Sequence, residues 1–304
     1  MKRLYKGLLI AGGFVVVLVI LGLLFPTHAS PNFQPQNEFK LDPWVNIKLA
    51  GIDLSINKAV LYLALAALLT VGTMVYIARR MQDRPNRVQT AVEALYGLLR
   101  DNIAGPNNID RKTALKWFPF IGALFMFIWY SNLLGFIPLP ADTEYTFNVF
   151  GAHIPDFGIY AATANISVTL ALTLLVWFSY HVEGVRAKGF VPYIKGWLPA
   201  GMDNVPVRYL MIPFIFSIEV ISQFVRIISL SVRLFANVLA GHLLILFMGG
   251  GLAVLLGIAA LGGLTFPIAV GFFLFEVVLI ATLQAFIFAT LTAIYLGGAV
   301  AEHH

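Results

Sequence analysis

The fold of this chain is decided by residues 218 to 246, which read IEVISQFVRIISLSVRLFANVLAGHLLIL. The stretch contains no proline and is apolar enough to form a helix that crosses a bilayer, for which about 20 residues suffice. It nevertheless carries four ionisable residues, Glu219, Arg226, Arg233 and His242. A charged side chain at the bilayer centre costs about 2.5–3.5 kcal/mol, so we expect these residues to face a protein interior or a water-filled path.

Polar residues of this stretch gather on one side of the predicted helix. At about 100° per residue, seven of them fall within about a third of the circumference. They are Glu219, Ser222, Gln223, Arg226, Ser229, Arg233 and Asn237. The small residues Ala236, Ala240 and Gly241 extend the same face. The pattern predicts a helix surface that meets another protein surface closely and presents a cation to it.

The composition of the chain is that of a polytopic membrane protein. Of its 304 residues, 59% are hydrophobic and 12% are charged, and the mean hydropathy is +0.84, as in polytopic membrane proteins. The absence of cysteine excludes disulfides and thiolate metal sites. The six histidines are dispersed, so we expect no metal ion and no cofactor. The net charge of +5 lies around the apolar spans, which indicates orientation in the bilayer and no nucleic-acid partner.

The chain divides into three parts. Residues 1–29 contain an apolar run, 8–25, that follows three basic residues and is either a signal peptide or a signal anchor. The run is longer than the usual apolar region of a signal peptide, about 7–15 residues, which favours the anchor. Residues 30–55 are rich in Pro and Asn and are predicted to form an extended external segment, and residues 56–304 are predicted to form the membrane domain.

Five main spans are predicted within the membrane domain. They are residues 56–78, 117–137, 161–180, 213–247 and 264–296, with a turn at Gly249–Gly251 between the last two. The fourth would be about 35 residues and so roughly 50 Å long. Because the hydrocarbon core is only about 30 Å thick, this helix must tilt, bend or break. The predicted fold class is an all-α polytopic membrane protein whose last two helices are long.

Charges between the spans predict the orientation of the chain. Arg79, Arg80, Arg84 and Arg87 follow the first span, and this end is cytoplasmic by the positive-inside rule. An amphipathic helix is predicted over 88–103 on the inner surface, followed by a basic loop over 102–116. The C-terminus is then cytoplasmic, and so are residues 1–6 if the first helix is retained.

A second pair of buried polar residues lies in the last span. Glu276 and Gln284 are separated by about 80° around an ideal helix and about 12 Å along it, so they can line one cavity at different depths. His242 lies about 180° from Arg233 on its own helix. A carboxylic acid and an imidazole buried together are suited to a proton relay. The alternative is that Glu276 and His242 pair only to hold two helices together.

Structural roles compete with functional ones for the other polar residues. Glu219 and Arg226 are seven residues apart, which we expect to be too far for direct contact, so each could pair elsewhere. An interhelical hydrogen bond is the favoured interpretation of Asn132 and of Asn165. No carboxylate lies one turn from Arg233, so its partner is expected on another helix or another subunit.

Several segments resemble subunit a of F-type ATP synthases. The longest are SLSVRLFANVLAGHLLIL (229–246) and LIATLQAFIFATLTAIYL (279–296). Shorter matches are FIWYSNLLGFIP, TANISVTLAL, IEVIS and the final AVAEHH. The resemblance extends from about residue 42 to the C-terminus. It implies a helical membrane protein whose last two helices are strongly tilted against a ring of c subunits.

The resemblance also implies roles for particular residues. The stator arginine of the family corresponds to Arg233, the asparagine one turn on to Asn237, and the glutamine of the last helix to Gln284. Some members have Glu and His where this chain has His242 and Glu276, so the pair retains an acid and an imidazole. The family's acidic residue in the cytoplasmic half-channel corresponds to Glu219.

Two half-channels follow from the resemblance. Protons would be taken up from outside past His242, Glu276, Asn165 and Asn132, and released to the cytoplasm past Glu219 and its polar neighbours. Those neighbours are Ser222, Gln223 and Arg226. A position at which some members have Asp is Gly135 here, which removes a carboxylate from the uptake route.

The expected partners are the c ring, whose carboxylate would lie opposite Arg233, the b-type peripheral stalk and the lipid bilayer of a bacterial plasma membrane. The chain itself is expected to be non-catalytic. The alternative is a stand-alone secondary transporter that uses Glu276 and His242, but the chain lacks the inverted repeats of such proteins. A membrane hydrolase is disfavoured because no nucleophile set or His-Glu-x-x-His pattern occurs.

Overall fold

The computed structural model describes the main helices and two short hairpins. The described residues are 55–80, 111–136, 161–198, 208–248 and 259–300, with 41, 43, 48–49, 52–53, 86, 89–90, 93, 97, 147–149 and 152–154. The predicted signal segment, the turn at 249–251 and the C-terminal tail lie outside the described residues. So does most of the amphipathic helix predicted over 88–103, of which the described residues Gln89, Thr90, Glu93 and Gly97 are helical.

Helices dominate the described part of the chain. They are α1 (Lys58–Arg80), α2 (Arg111–Leu134), α3 (Ile166–Lys188), α4 (Phe190–Lys195), α5 (Arg208–Leu246), α6 (Ala259–Phe275) and α7 (Ala281–Val300). Five stretches are long and apolar enough to cross a membrane, and the last two have 35 and 34 residues. The predicted all-α polytopic class, with five spans and two overlong C-terminal helices, is confirmed.

Two antiparallel hairpins are the strands among the described residues. Strand β1 (Lys48–Leu49) pairs with β2 (Ile52–Asp53), and Lys48 faces Asp53 in register. Strand β3 (Phe147–Val149) pairs with β4 (Ala152–Ile154), within the region predicted to be an external loop. A two-stranded hairpin is only marginally stable by itself, so these are local features of the loops.

Two predicted boundaries were wrong. Residues 111–116 were assigned to a basic loop, but α2 already begins at Arg111. The third span was predicted to end at Tyr180, whereas α3 continues to Lys188 and ends at Gly189, which has a φ of 84°. Both errors have one cause, because a helix can extend beyond either end of its apolar stretch where polar residues that are good helix formers, such as Arg and Lys, adjoin it.

The side chain of Asn165 fixes the start of α3. It is the N-cap residue, and its Oδ1 accepts a hydrogen bond from the Ser167 N–H at 2.8 Å. A cap of this kind satisfies one of the four backbone donors that a helix leaves unpaired. Asn165 therefore serves the start of its own helix, while the interhelical hydrogen bond that we favoured from the sequence stays a prediction.

The last long helix contains one wider turn. Between α6 and α7, Glu276–Ile280 form a π-helical turn, in which the Ala281 N–H donates to the carbonyl of Glu276, five residues earlier. Such turns are rare and often occur at functional sites. This one begins at the single carboxylate of the last span.

The described residues form two compact units. Unit 1 draws on Met1–Ala66, Ser131–Ala162 and Asn237–Ala281, and unit 2 on Ala67–Tyr130, Thr163–Ala236 and Thr282–His304. The core of unit 1 includes Tyr62, Leu134, Phe136, Val238 and Ala269. The core of unit 2 includes Ile121, Ile128, Val176, Leu234 and Phe288. Each unit also buries polar side chains, which are considered next.

Candidate functional site

The polar residues singled out in the sequence fall into three groups. We call them the histidine–glutamate cluster (His242, Glu276, Gly241, Gly135 and Phe136), the arginine site (Arg233 and Gln284) and the tyrosine–glutamate cluster. The last consists of Tyr180, Tyr193, Glu219, Gln223, Arg226 and Tyr295. The first group lies in unit 1 and the other two in unit 2.

His242 is held by the backbone. Its Nδ1 lies 2.9 Å from the carbonyl oxygen of Val238, one turn earlier in α5, and its Nε2 lies 2.9 Å from that of Gly135. The ring also packs at 4.4 Å from the ring of Phe136, and the residue is only 5% exposed. A neutral imidazole has one N–H and can donate to one of these oxygens, whereas an imidazolium donates to both. The pocket therefore has an acceptor ready for either proton.

The carboxyl group of Glu276 lies directly against the backbone of α5. A β-carbon built on Gly241 would fall on this carboxyl group, so a larger residue there would have to displace the end of the Glu276 side chain. Glu276 is 4% exposed, and its Oε1 has no hydrogen-bond partner among the residues that the structure describes. An unsatisfied buried oxygen costs about 1–3 kcal/mol. A residue with a purely structural role would rarely be kept under that penalty.

Glu276 and His242 are neighbours without being a pair. The carboxyl group contacts Gly241, the residue before His242, yet no hydrogen bond in the described part of the chain joins the two side chains. The arrangement does not favour the interpretation that this pair merely holds two helices together. The acid instead lies against Gly241, and the imidazole of the next residue is turned toward backbone oxygens.

Asn132 supports the wider turn that carries Glu276. It is completely buried, and its Nδ2 donates at 3.2 Å to the carbonyl of Ala281, the residue that closes the π-helical turn. This is the interhelical hydrogen bond favoured from the sequence. Asn132 thus lies next to the histidine–glutamate cluster through the backbone of the last helix.

Arg233 lies on the exposed side of α5. Its side chain is exposed, as is that of Asn237 one turn later, and in the described part of the chain no carboxylate lies within ion-pair distance of it. Gln284 is 4% exposed and donates from Nε2 to the backbone carbonyl of Arg233 at 3.0 Å. The glutamine therefore holds the backbone under the arginine and leaves the guanidinium unrestrained.

The exposed residues of α5 near Arg233 are mostly apolar or small. Apolar side chains on the same helix are exposed, among them Ile221, Phe224, Val225, Ile228 and Val232. Ser229 and Ala240 are exposed with them. Exposed apolar side chains thus cover much of α5, and the small residues Ser229 and Ala240 lie on the same side of the helix as Arg233.

Glu219 and Arg226 form an ion pair, so the expectation that they are too far apart was wrong. Nη2 of Arg226 lies 3.6 Å from Oε1 of Glu219, and the two side chains are 36% and 30% exposed. Two helical turns separate their backbones, but side chains in a helix lean toward its N-terminus. The long arginine therefore reaches back to the glutamate, and it also lies over the ring of Tyr295 at 5.3 Å.

Gln223 joins Glu219 to a tyrosine of another helix. Its Nε2 donates to Oε1 of Glu219 at 2.9 Å, while its Oε1 accepts from the hydroxyl of Tyr180 in α3 at 2.7 Å. Gln223 is 6% exposed and Tyr180 is 3% exposed. Ser222 is half-buried on the same helix.

A cavity of about 430 Å³ opens beside this cluster. Its walls combine charged, phenolic and small residues: Tyr180, Lys188, Tyr193, Gly196, Trp197, Glu219, Gln223, Arg226, Ile294, Tyr295, Gly298 and Ala299. At about 30 Å³ for each molecule of liquid water, the space holds on the order of ten waters. Glu219 therefore lies on the wall of a space that solvent can fill.

Tyr193 connects this cavity to a half-buried histidine, His181. Its hydroxyl lies 2.9 Å from Nδ1 of His181, and its ring covers Gly184, where a β-carbon would collide with it. Burial raises the pKa of the Tyr193 hydroxyl above its ordinary value, so the group stays protonated at neutral pH. It can therefore donate to His181.

Two of these positions were not identified from the sequence. Gly135 was noted only for lacking a side-chain carboxylate, yet its carbonyl contacts His242, and a β-carbon there would collide with Ala161. Tyr180 was not singled out from the sequence pattern, because its hydrogen-bond partner Gln223 is 43 residues away in the chain. Among the described residues, no group of His, Asp or Glu side chains is placed to hold a metal ion.

Comparison with known proteins gives a consistent result. Residues 60–297 match the family model of the ATP synthase A chain. The chain is 36% identical to ATP synthase subunit a of Rubrobacter xylanophilus over 256 residues, which cover 84% of this chain and 88% of that protein. It is 34% identical to the subunit of Rhizobium leguminosarum bv. trifolii over 88% of this chain and 96% of that protein. The corresponding values for Maricaulis maris are 32%, 89% and 98%.

Proposed function

Since the chain belongs to the ATP synthase A chain family, the proton-channel stator subunits of the membrane sector, we propose that Arg233 separates two proton routes within it. One route takes up protons past the histidine–glutamate cluster, and the other releases them past the tyrosine–glutamate cluster. The chain is a multi-pass protein of the bacterial plasma membrane and part of the ATP synthase complex. A stand-alone transporter is not favoured.

The observation that carries the proposal is the exposed guanidinium of Arg233. It lies exposed on α5, with no carboxylate within ion-pair distance in the described part of the chain, which supports a partner on another subunit. Two unit charges 4 Å apart interact by about 4 kcal/mol at an effective dielectric constant near 20. That energy corresponds to about three pK units at 1.36 kcal/mol each. A carboxylic acid of the c ring that arrives at Arg233 would therefore lose its proton.

The uptake route would use the acid and the imidazole of unit 1. Glu276 and His242 are buried next to each other, and the unsatisfied Oε1 of Glu276 supports a role in proton transfer. Asn132 would line this route by holding the turn that carries Glu276. We include Asn165 and Asn237 from the family resemblance, with Asn165 contributing through the start of α3.

The release route would use Glu219 and its polar neighbours. Gln223 and Arg226 contact its carboxylate, and the cavity beside them is large enough for water. Ser222 lies on the same helix and would line the route. Gln284 would keep the backbone of Arg233 in place between the two routes.

The complex supplies the remaining parts. We propose that a ring of c subunits covers the exposed face of α5 and that b-type subunits of the peripheral stalk hold the chain still. Catalysis would belong to other subunits, with this one coupling proton flow to rotation. The positively charged ends of the spans would face the cytoplasm, which makes the C-terminal tail cytoplasmic.

Substitution of Arg233 tests the proposal. In the complete complex reconstituted into vesicles, Arg233→Ala should abolish ATP-driven proton pumping, because no cation remains to drive deprotonation of the ring carboxylate. The initial rate of quenching of a pH-sensitive dye measures pumping, and the amount of subunit in the purified complex measures assembly. Arg80→Ala removes an exposed arginine at the end of α1 and serves as the control. Normal coupled pumping by assembled Arg233→Ala complexes would overturn the proposal.

A further inference from the structure

Two buried side chains, Tyr180 of α3 and Gln223 of α5, form a hydrogen-bonded arm that ends at Glu219. The hydroxyl of Tyr180 donates to Oε1 of Gln223, and Nε2 of Gln223 donates to Oε1 of Glu219, at 2.7 and 2.9 Å. Tyr180 and Gln223 are each more than nine-tenths buried, whereas the Glu219 side chain is 30% exposed at the cavity. The arm therefore runs from the interior of unit 2 to a carboxylate on the cavity wall.

The chemistry of the amide gives the arm a direction. An ionised carboxylate can only accept hydrogen bonds, so Gln223 must present its NH₂ group to Glu219 and its oxygen to the other side. That oxygen is buried, and the hydroxyl of Tyr180 is the donor that satisfies it. Without this donor the amide would either leave a buried oxygen unsatisfied or rotate and turn its oxygen toward the carboxylate.

The contacts of Glu219 leave one of its oxygens for the cavity. Both Gln223 and Arg226 approach Oε1, and neither of these two contacts uses Oε2. The charged and titratable groups around it are Arg226 on its own helix, Tyr180 and Lys188 on α3, Tyr193 on α4 and Tyr295 on α7. A carboxylate anchored by one oxygen can exchange a proton through the other without losing its position.

We propose that Tyr180 is a positioning residue for proton release, acting through Gln223 to hold the carboxylate of Glu219 at the cavity wall. This inference rests on the proposed function, because it assigns the orientation of a group in the release route. Tyr180 does not carry the proton itself. Its hydroxyl sets which atoms of the Gln223 amide face Glu219.

Removal of the Tyr180 hydroxyl tests the inference. Tyr180→Phe keeps the ring and should lower the rate of ATP synthesis driven by an imposed pH gradient in reconstituted complexes by about fivefold, which corresponds to about 1 kcal/mol at 1.36 kcal/mol per factor of ten. The release-side pH for half-maximal rate should rise by about half a unit or more. The reason is that the Glu219 carboxylate loses a reliable donor, so release becomes less favourable. Rates are normalised to the amount of assembled complex.

A second variant separates positioning from packing. Gln223→Met removes the amide at similar volume and should produce the same change in the pH profile. The double variant Tyr180→Phe/Gln223→Met should be no slower than Gln223→Met alone, because both act on one hydrogen-bonded arm. Tyr76→Phe, at an exposed tyrosine of α1, is the matched control and should leave both rate and profile unchanged. A Tyr180→Phe profile that superimposes on that of the unaltered complex, or additive losses in the double variant, would overturn the inference.

The two proposals fail in different ways. If Arg233→Ala complexes pump normally, the proposed function is wrong and the assignment of a release route fails with it. If Arg233→Ala abolishes pumping while Tyr180→Phe changes neither rate nor pH profile, the proposed function stands and only the role of Tyr180 is rejected.

Discussion

The histidine–glutamate cluster and the tyrosine–glutamate cluster place a glutamate by opposite means. In the first, backbone atoms surround the titratable groups: two carbonyls contact His242, and the carboxyl group of Glu276 lies on Gly241. In the second, side chains surround Glu219, and a cavity of about 430 Å³ lies next to it. The first cluster is closed and shaped by the main chain, whereas the second is open and shaped by hydrogen-bonded side chains.

This difference predicts how each cluster responds to change. An added atom at Gly241 would displace the Glu276 carboxyl group from its place against the backbone, so the closed cluster should be sensitive to an increase in volume. Side chains and solvent can rearrange, so the open cluster should lose activity gradually. Substitutions that act on one cluster and spare the other therefore test whether the two clusters differ in this way.

The largest effect is expected at Gly241. Gly241→Ala places a methyl group where the carboxyl group of Glu276 lies, and overpacking of this kind costs about 1–3 kcal/mol. We expect ATP-driven pumping per assembled complex to fall by a factor of about 10 or more, measured as the initial rate of dye quenching.

Gly271 provides the matched control for that substitution. No atom lies within 4 Å of a β-carbon built there, so Gly271→Ala should leave pumping unchanged and can only favour the helix. Equal pumping rates of the two alanine variants would show that the closed cluster is more adaptable than its packing indicates.

An intermediate effect is expected from removing each acid. Glu276→Gln should reduce proton conduction by about five- to tenfold, because an amide cannot take up and release a proton as the carboxyl group does. Glu219→Gln should reduce it only about two- to fivefold, since water in the adjoining cavity can carry protons past the amide. Passive proton conduction by vesicles that contain the membrane sector measures both. A loss at Glu219 as large as that at Glu276 would remove the distinction between closed and open routes.

The smallest effect is expected on stability at Arg226. Its pair with Glu219 is 3.6 Å long and about one-third exposed, and such pairs contribute about 0–1 kcal/mol. Arg226→Gln should therefore hardly change the midpoint of thermal inactivation of the complex.

Lys116 supplies the contrast for this measurement. It pairs with Glu183, whose side chain is only 8% exposed, so Lys116→Gln would leave a buried carboxylate without its partner. This variant should lower the midpoint clearly. A larger decrease for Arg226→Gln than for Lys116→Gln would contradict the expected order.

The spans could be predicted from the sequence because length and apolarity determine them. The course of α5 past Pro213 to Leu246 and the length of the last helix follow from long, predominantly apolar runs. The π-helical turn at Glu276 could not be predicted, because its five residues are ordinary helix-compatible residues and the Asn132 that supports its end lies in another helix. The sequence of the turn alone does not reveal a hydrogen bond that a distant residue donates to it.

The part of the candidate site that could be predicted from the sequence is Arg233, a charged residue without a carboxylate one helical turn away. The exposure of Arg233 agrees with the lack of a carboxylate one turn away. The contact of Arg226 with Glu219 was missed because spacing alone ignores the length and direction of a side chain. The contacts of Gly135 and Tyr180 were missed because they join residues far apart in the chain, through a main-chain oxygen in one case and a buried hydroxyl in the other.

The glycine at position 135 gives His242 a partner that never titrates. A carboxylate there would exchange protons with its surroundings, but the carbonyl oxygens of Gly135 and Val238 accept hydrogen bonds equally at every pH that a cell experiences. Any change of charge at this point must then come from His242 or Glu276. In the proposed uptake route, the hydrogen-bond partners of His242 therefore keep the same charge at every pH. A change in charge there reports the protonation of the two side chains and not of their partners.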